Sequence, residues 1–263
     1  MNRWWLTAPF LHSVNGTPVL ALGILVVLAA CRSWAGPESE KPVAPPVKLP
    51  GIALNLEEGC IDIDAVVCLD EGTLELVACT KGSKEHESVV AVEAKAVHIH
   101  TALLLLGAKP GHPAGHRTIE GEERLLPVPP SGGTVAVSLV CPGKDGKPVE
   151  RPITAFIKRL PEGPGEDEKT VPFPTDRFLF AGSHLVDNGE GPRRYLADGS
   201  GNLISIATFG DETLCRPGLH GHEKAALMWE VNPRHLPAVD TKVILRLRPV
   251  RAGDETGKKD LAD

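Results

Sequence analysis

Aromatic side chains are scarce in this chain: one tyrosine, four tryptophans and six phenylalanines among 263 residues. The core must therefore rest on valine, leucine, isoleucine and alanine. There is no surplus of positive charge, since the formal net charge is -6; a nucleic-acid binder usually carries a concentrated basic face, so no nucleic-acid partner is expected. No apolar run reaches the roughly twenty residues that a membrane-spanning helix needs. Cys-x-x-Cys is absent, which removes thioredoxin-type redox sites and iron–sulfur clusters from consideration. A Gly-x-Ser-x-Gly nucleophile elbow is also missing, because Ala181-Gly182-Ser183-His184-Leu185 lacks the second glycine. His220-Gly221-His222-Glu223 places Ala226 where a His-Glu-x-x-His metalloprotease needs its second histidine. No internal repeat is visible.

Glycine and proline, by contrast, are plentiful, at 27 and 24. They punctuate the chain too often for a helical bundle and suit a domain of short strands and loops. The first element is a targeting segment over residues 1–31. Arg3 supplies the positive end, and Val19 to Leu28 form an apolar core of signal-peptide length. Leu28-Ala29-Ala30-Cys31 then resembles a bacterial lipobox. The Cys31 thiol is expected to carry a diacylglycerol and to become the first mature residue, with an ordinary secretory cleavage near Ala30 or after Ala35 as the alternative. Each buried lipid methylene contributes about 0.8 kcal/mol, so two or three chains would hold the protein on a membrane durably. Arg32 follows the cysteine and no aspartate stands there, which resembles the pattern of outer-membrane rather than inner-membrane sorting. The expected location is the periplasmic face of the outer membrane. Residues 32–50 read as a tether, since Pro37, Pro42, Pro45, Pro46 and Pro50 allow neither a ladder nor a helix.

The domain proper is expected over residues 51–250, followed by a charged, disordered tail over 251–263. Ile61-Asp62-Ile63-Asp64 alternates as a strand, with both aspartates on one face. That face reads as solvated, although a carboxylate pair could also serve a hard cation. Asp70-Glu71-Gly72 predicts a hairpin turn, with residues 73–79 as the return strand. Lys95 to Leu106 reads as a helix on its four consecutive leucines, with Gly107 as the left-handed stop and Pro110 beyond it. Being apolar all round, this helix is expected to be buried on the sheet. Further strands are predicted at 133–140, at 149–157 as an edge strand containing Pro152, at 203–208 and at 241–250. Residues 112–116 read as a loop and 198–202 as a tight turn. The fold class expected is α+β, a mostly antiparallel β-sheet with one principal buried helix at about 95–107.

Several stretches carry a family resemblance: Lys84-Glu85-His86-Glu87-Ser88, His98-Ile99-His100, Ala102 through Ala108, and Pro110-Gly111. Phe180-Ala181-Gly182-Ser183, Tyr195-Leu196-Ala197-Asp198 and Gly201-Asn202-Leu203-Ile204-Ser205 add to it. Together they resemble the YdjY-domain family of bacterial envelope proteins. The resemblance implies a secreted or lipid-anchored module and transfers no catalytic residue.

The candidate polar or ligand site is Lys84, His86, Glu87, His98 and His100. Histidine is the commonest transition-metal ligand, so His86, His98 and His100 are the candidates for a zinc or copper centre, with His184, His220 and His222 able to join in space. On a helix, however, His98 and His100 point about 200° apart and could not grip one ion. The other reading makes these histidines hydrogen-bonded parts of the fold, with Lys84, Glu85 and Glu87 bracing a turn. Of the five cysteines after Cys31, Cys68 and Cys79 are the expected disulfide pair if they face each other. The leading functional expectation is a non-catalytic envelope module anchored to the membrane by its N-terminal lipid and serving an envelope partner or ligand. A histidine-based metalloprotein or metalloenzyme is the alternative.

Overall fold

The structure is a computed structural model and describes residues 49–118, 125–143, 145–160, 171–187, 189, 191–221 and 228–251. The signal segment with Cys31, nearly all of the tether, residues 161–170, His222 and all but the first residue of the tail lie outside the described residues. All described residues belong to one compact unit, Val47–Asp263.

Ten strands form its main sheet. They are β1 (Ile52–Asn55), β2 (Cys60–Val67), β3 (Leu76–Thr80), β4 (Ser88–Val92), β5 (Thr134–Pro142), β6 (Pro148–Pro152), β7 (Arg177–Leu179), β8 (Asn202–Ser205), β9 (Leu214–Cys215) and β10 (Lys242–Pro249). The order runs β1-β2-β10-β5-β7-β9-β8-β3-β4, and β4 pairs back onto β2. Eight strands thereby close into a barrel, leaving β1 and β6 attached at its outside. The pairs β3–β4 and β8–β9 are parallel, so the barrel is mixed. Closure removes the exposed ladder that an open sheet would present.

The alternation seen in the sequence explains the long strands. Ile61, Ile63, Ala65 and Val67 of β2 are buried, and so are Val243, Leu245 and Leu247 of β10. Val135, Val137, Leu139 and Cys141 of β5 complete this side of the interior. Each such aliphatic side chain contributes about 1.5–3 kcal/mol relative to an exposed position. Several outward positions of β2 and β10 are charged. Arg246 holds Asp62 through Nε and Nη2, both at 2.6 Å, and reaches Glu150 at 2.8 Å through Nη1. Arg248 binds the same Glu150. Asp62 is thus the carboxylate of a bidentate ion pair. Pro152 sits at the end of β6, which pairs only with β5, where its missing N–H costs no ladder bond.

Several expectations need correction. The domain is mostly β rather than α+β, a mixed eight-strand barrel with two short helices. Its helix α1 (Ala96–Leu105) buries only Ala96, Ile99, Ala102 and Leu103, a stripe at helical spacing, whereas Leu104 and Leu105 are 44% and 53% exposed. The leucine run is therefore amphipathic in place. It ends as the sequence suggests: Gly107 takes φ +83°, its N–H donates to Leu104 O, and Ala108 N–H donates to Leu103 O, the paired bonds of a Schellman stop. The second correction concerns the hairpin. β3 does not pair with β2, because β4 lies between them. The turn residues are engaged elsewhere: Leu74 N–H donates to Trp229 O, and Gly72 O accepts from Val231 N–H. Residues 110–112 and 115–118 also form short strands rather than a loop, and a five-residue helix α2 (Leu196–Ser200) occupies most of the expected 198–202 turn.

Candidate functional site

α1 projects His100 toward the segment that follows β7, and the chain's one tyrosine meets it there. His100 Nδ1 lies 2.9 Å from the Tyr195 hydroxyl. That hydroxyl donates to Gly182 O at 3.0 Å and lies 3.3 Å from Thr213 Oγ1. Since the phenol proton goes to Gly182, His100 acts as donor through Nδ1–H. The imidazole also stands edge-on to Phe180, with ring centroids 4.7 Å apart. Burial lowers the His100 pKa and raises that of Tyr195. Gly182 is required where it stands: it has φ +87°, and a methyl group there would meet His100 Cε1 and Pro110 Cβ at 3.2 Å.

Ser183 continues the network with φ +50°, an unusual conformation for a residue with a side chain. Its hydroxyl donates to Asp211 O and accepts from Ala197 N–H at 3.1 Å. Its own N–H donates to Glu212 O. Asn202 Nδ2 donates to Asp211 Oδ1 at 2.6 Å. Glu212 is fully buried, and its Oε2 accepts from the N–H groups of Gly210 and Asp211 at 2.6 and 2.8 Å. Burial raises the Glu212 pKa against those bonds. Asp198 of α2 reaches back to accept from Val97 N–H at 3.2 Å, capping α1, whose own Lys95 offers no side-chain cap. The network thus ties α1, the 180–184 segment, α2, β8 and the loop before β9 together.

The predicted site residues do not all meet here. His98 and His100 stand two residues apart on α1 and diverge, as helical geometry requires. His86 lies in a single turn of 3-10 helix (Glu85–Glu87) with its side chain 78% exposed, and its Nε2 lies 3.9 Å from Glu87. Lys84 pairs with Glu87 at 3.2 Å and stacks over the Phe209 ring at 3.8 Å. Lys84 and Glu87 therefore brace the crossover between the parallel strands β3 and β4. Among the described residues no group of three or more His, Cys, Asp or Glu side chains converges in a way that could hold a metal ion. Cys68 and Cys79 are free thiols that share a hydrogen bond, and Cys68 Sγ lies 3.1 Å from Ser88 O.

A family model for the YdjY domain matches residues 52–248. The chain belongs to the YdjY-domain family. Comparison with curated proteins and with solved structures finds no significant match. The match spans the whole barrel of this YdjY domain, from β1 to β10, including the His100–Tyr195 network. Sequence reasoning quoted Gly182, Ser183, Tyr195 and Asn202 within motifs but gave them no role, and it passed over Thr213, Asp211 and Glu212. The one available signal was the isolation of Tyr195 in a chain that has no other tyrosine.

Proposed function

We propose that this YdjY-domain protein is exported, held at the cell envelope by lipid on Cys31, and serves as a binding or structural module rather than an enzyme. The observation that carries the non-catalytic reading is the state of the Ser183 hydroxyl. It donates to Asp211 O and accepts from Ala197 N–H, so its one proton is committed to a backbone carbonyl. His100 is turned toward Tyr195 instead of toward that serine. A nucleophile needs a base within reach, and this arrangement supplies a staple in its place. The anchoring rests on Leu28-Ala29-Ala30-Cys31 following an apolar core of signal-peptide length. The expected location is the periplasmic face of the outer membrane, with an envelope partner or ligand bound there. In that oxidising compartment Cys68 and Cys79 are the pair to be bridged, which peptide mapping without reductant reads directly.

Radiolabelled palmitate should enter the full-length chain expressed in a Gram-negative host and should fail to enter a Cys31→Ser variant. The variant should also leave the membrane fraction. A wild-type chain that takes up no label and stays in buffer overturns the anchoring.

A further inference from the structure

Beyond the buried network, the barrel carries a surface cleft of about 320 Å³ where the end of α1 faces the turn between β1 and β2. Arg177, Arg248 and Arg251 line it, together with Glu57, Glu58 and Leu106. Guanidinium groups present donors in a fixed fork that matches phosphate oxygens. Arg248 donates to Glu150 through both Nη atoms, which fixes its orientation and leaves only its remaining N–H groups for a ligand. The cleft is not simply basic. Arg177 lies 3.6 Å from Asp176, and Glu58 lies 3.8 Å from Arg248. Positive and negative groups are close to balance, which disfavours a strongly anionic ligand and suits one that carries both charges. Exposed leucines lie next to the lining residues in the chain: Leu56, just before Glu57, is 70% exposed, and Leu104 and Leu105, just before Leu106, are the exposed leucines of α1.

We propose that this cleft binds the headgroup of a zwitterionic phospholipid at the membrane surface, with the arginines on its phosphate and Glu57 and Glu58 on a primary ammonium. Leu56, Leu104 and Leu105 then enter the interfacial region, where exposed leucines gain what water denies them. This inference rests on the reading of the chain as a membrane-held protein. It adds which face meets the lipid and which headgroup chemistry is selected.

The test uses the compact unit Val47–Asp263, which contains the complete described core and lacks Cys31. It is floated with vesicles of phosphatidylethanolamine and phosphatidylcholine in equal parts, and with vesicles of phosphatidylcholine alone. Flotation should favour the mixed vesicles, because a quaternary ammonium cannot donate to the two carboxylates. The double variant Arg177→Gln, Arg251→Gln should lose about tenfold in affinity, as expected for lost charge-assisted hydrogen bonds. The double variant Glu57→Gln, Glu58→Gln should still float but lose the preference, which gives a second readout should the arginine variant fail to fold. No flotation with either vesicle, equal flotation with both, or binding unchanged by the arginine substitutions overturns the inference. Acylation at Cys31 plays no part in this assay, so a negative result here is separable from failure of the anchor.

Discussion

His100 and Tyr195 are 95 residues apart in the chain, yet their imidazole nitrogen and phenol oxygen lie 2.9 Å apart. This bond joins α1 to the strand side of the domain at the point where Gly182, Ser183 and Thr213 also gather.

Replacing Tyr195 with phenylalanine tests what that bond is for. The ring and its packing remain, while His100, Gly182 O and Thr213 lose a shared partner in a site where the tyrosine is only 8% exposed. Leaving buried polar groups unsatisfied costs about 1–3 kcal/mol. Urea unfolding of Tyr195→Phe should show a loss in that range. A midpoint equal to wild type would mean that the hydroxyl contributes nothing net.

Burial holds the His100 pKa below its ordinary value of 6.5. The unfolded chain therefore binds protons more readily than the folded one, and stability rises with pH. As pH falls from about 6.5 toward the lowered folded value, stability should be lost, and below that value the loss should level off. A His100→Gln variant should show a shallower slope in this window; His220, also lowered by burial, keeps part of it. An unchanged slope would contradict the assignment.

Glu150 moves in the opposite sense. The hydrogen bond from Arg248 leads, ahead of those from Ser138 and Arg246, and together they bring its carboxyl down to about 2 despite partial burial. The stability this provides is fully present above the unfolded value near 4.5 and is lost as pH falls toward about 2. Acid unfolding of Glu150→Gln should lack that part of the transition and should begin from a stability lower by about 1 kcal/mol at neutral pH, as for a partly exposed ion-pair network.

The Cys68–Cys79 contact gives a spectroscopic prediction. Cys79 is held below the ordinary thiol range mainly by the hydrogen bond from Cys68, and Cys68 is raised by the same bond and by burial. Under reducing conditions, thiolate absorbance should show one group ionising well before a free cysteine would. Cys68→Ala should remove that early step. Its persistence in the variant would assign it to another residue.

The long alternating strands were readable from sequence, because one face of β2, β5 and β10 is buried, while the other carries charge on β2 and β10 and uncharged residues on β5. Barrel closure was not. β4 is buried along its whole length, as are β8 and β9, so these short runs carry no period by which partners could be assigned. The hairpin after β2 failed for a specific reason: residues 72–74 find hydrogen bonds with 229–231, more than 150 positions away, which no local turn rule anticipates. The helix stop at Gly107 was legible because it is a local backbone requirement. The site was half legible. His100 stood out as a titratable residue in an apolar run, whereas its partners are far away in the chain: Tyr195 ends a two-residue strand and Thr213 directly precedes β9. Even the divergence of His98 and His100 followed from helix geometry alone, once the helix was accepted.

The measurement that bears most directly on the account is the intact mass of the chain purified from cell membranes. The account predicts a protein beginning at Cys31, heavier than its polypeptide by a diacylglycerol group with or without a further acyl chain. A soluble chain cleaved elsewhere and bearing no lipid would contradict it.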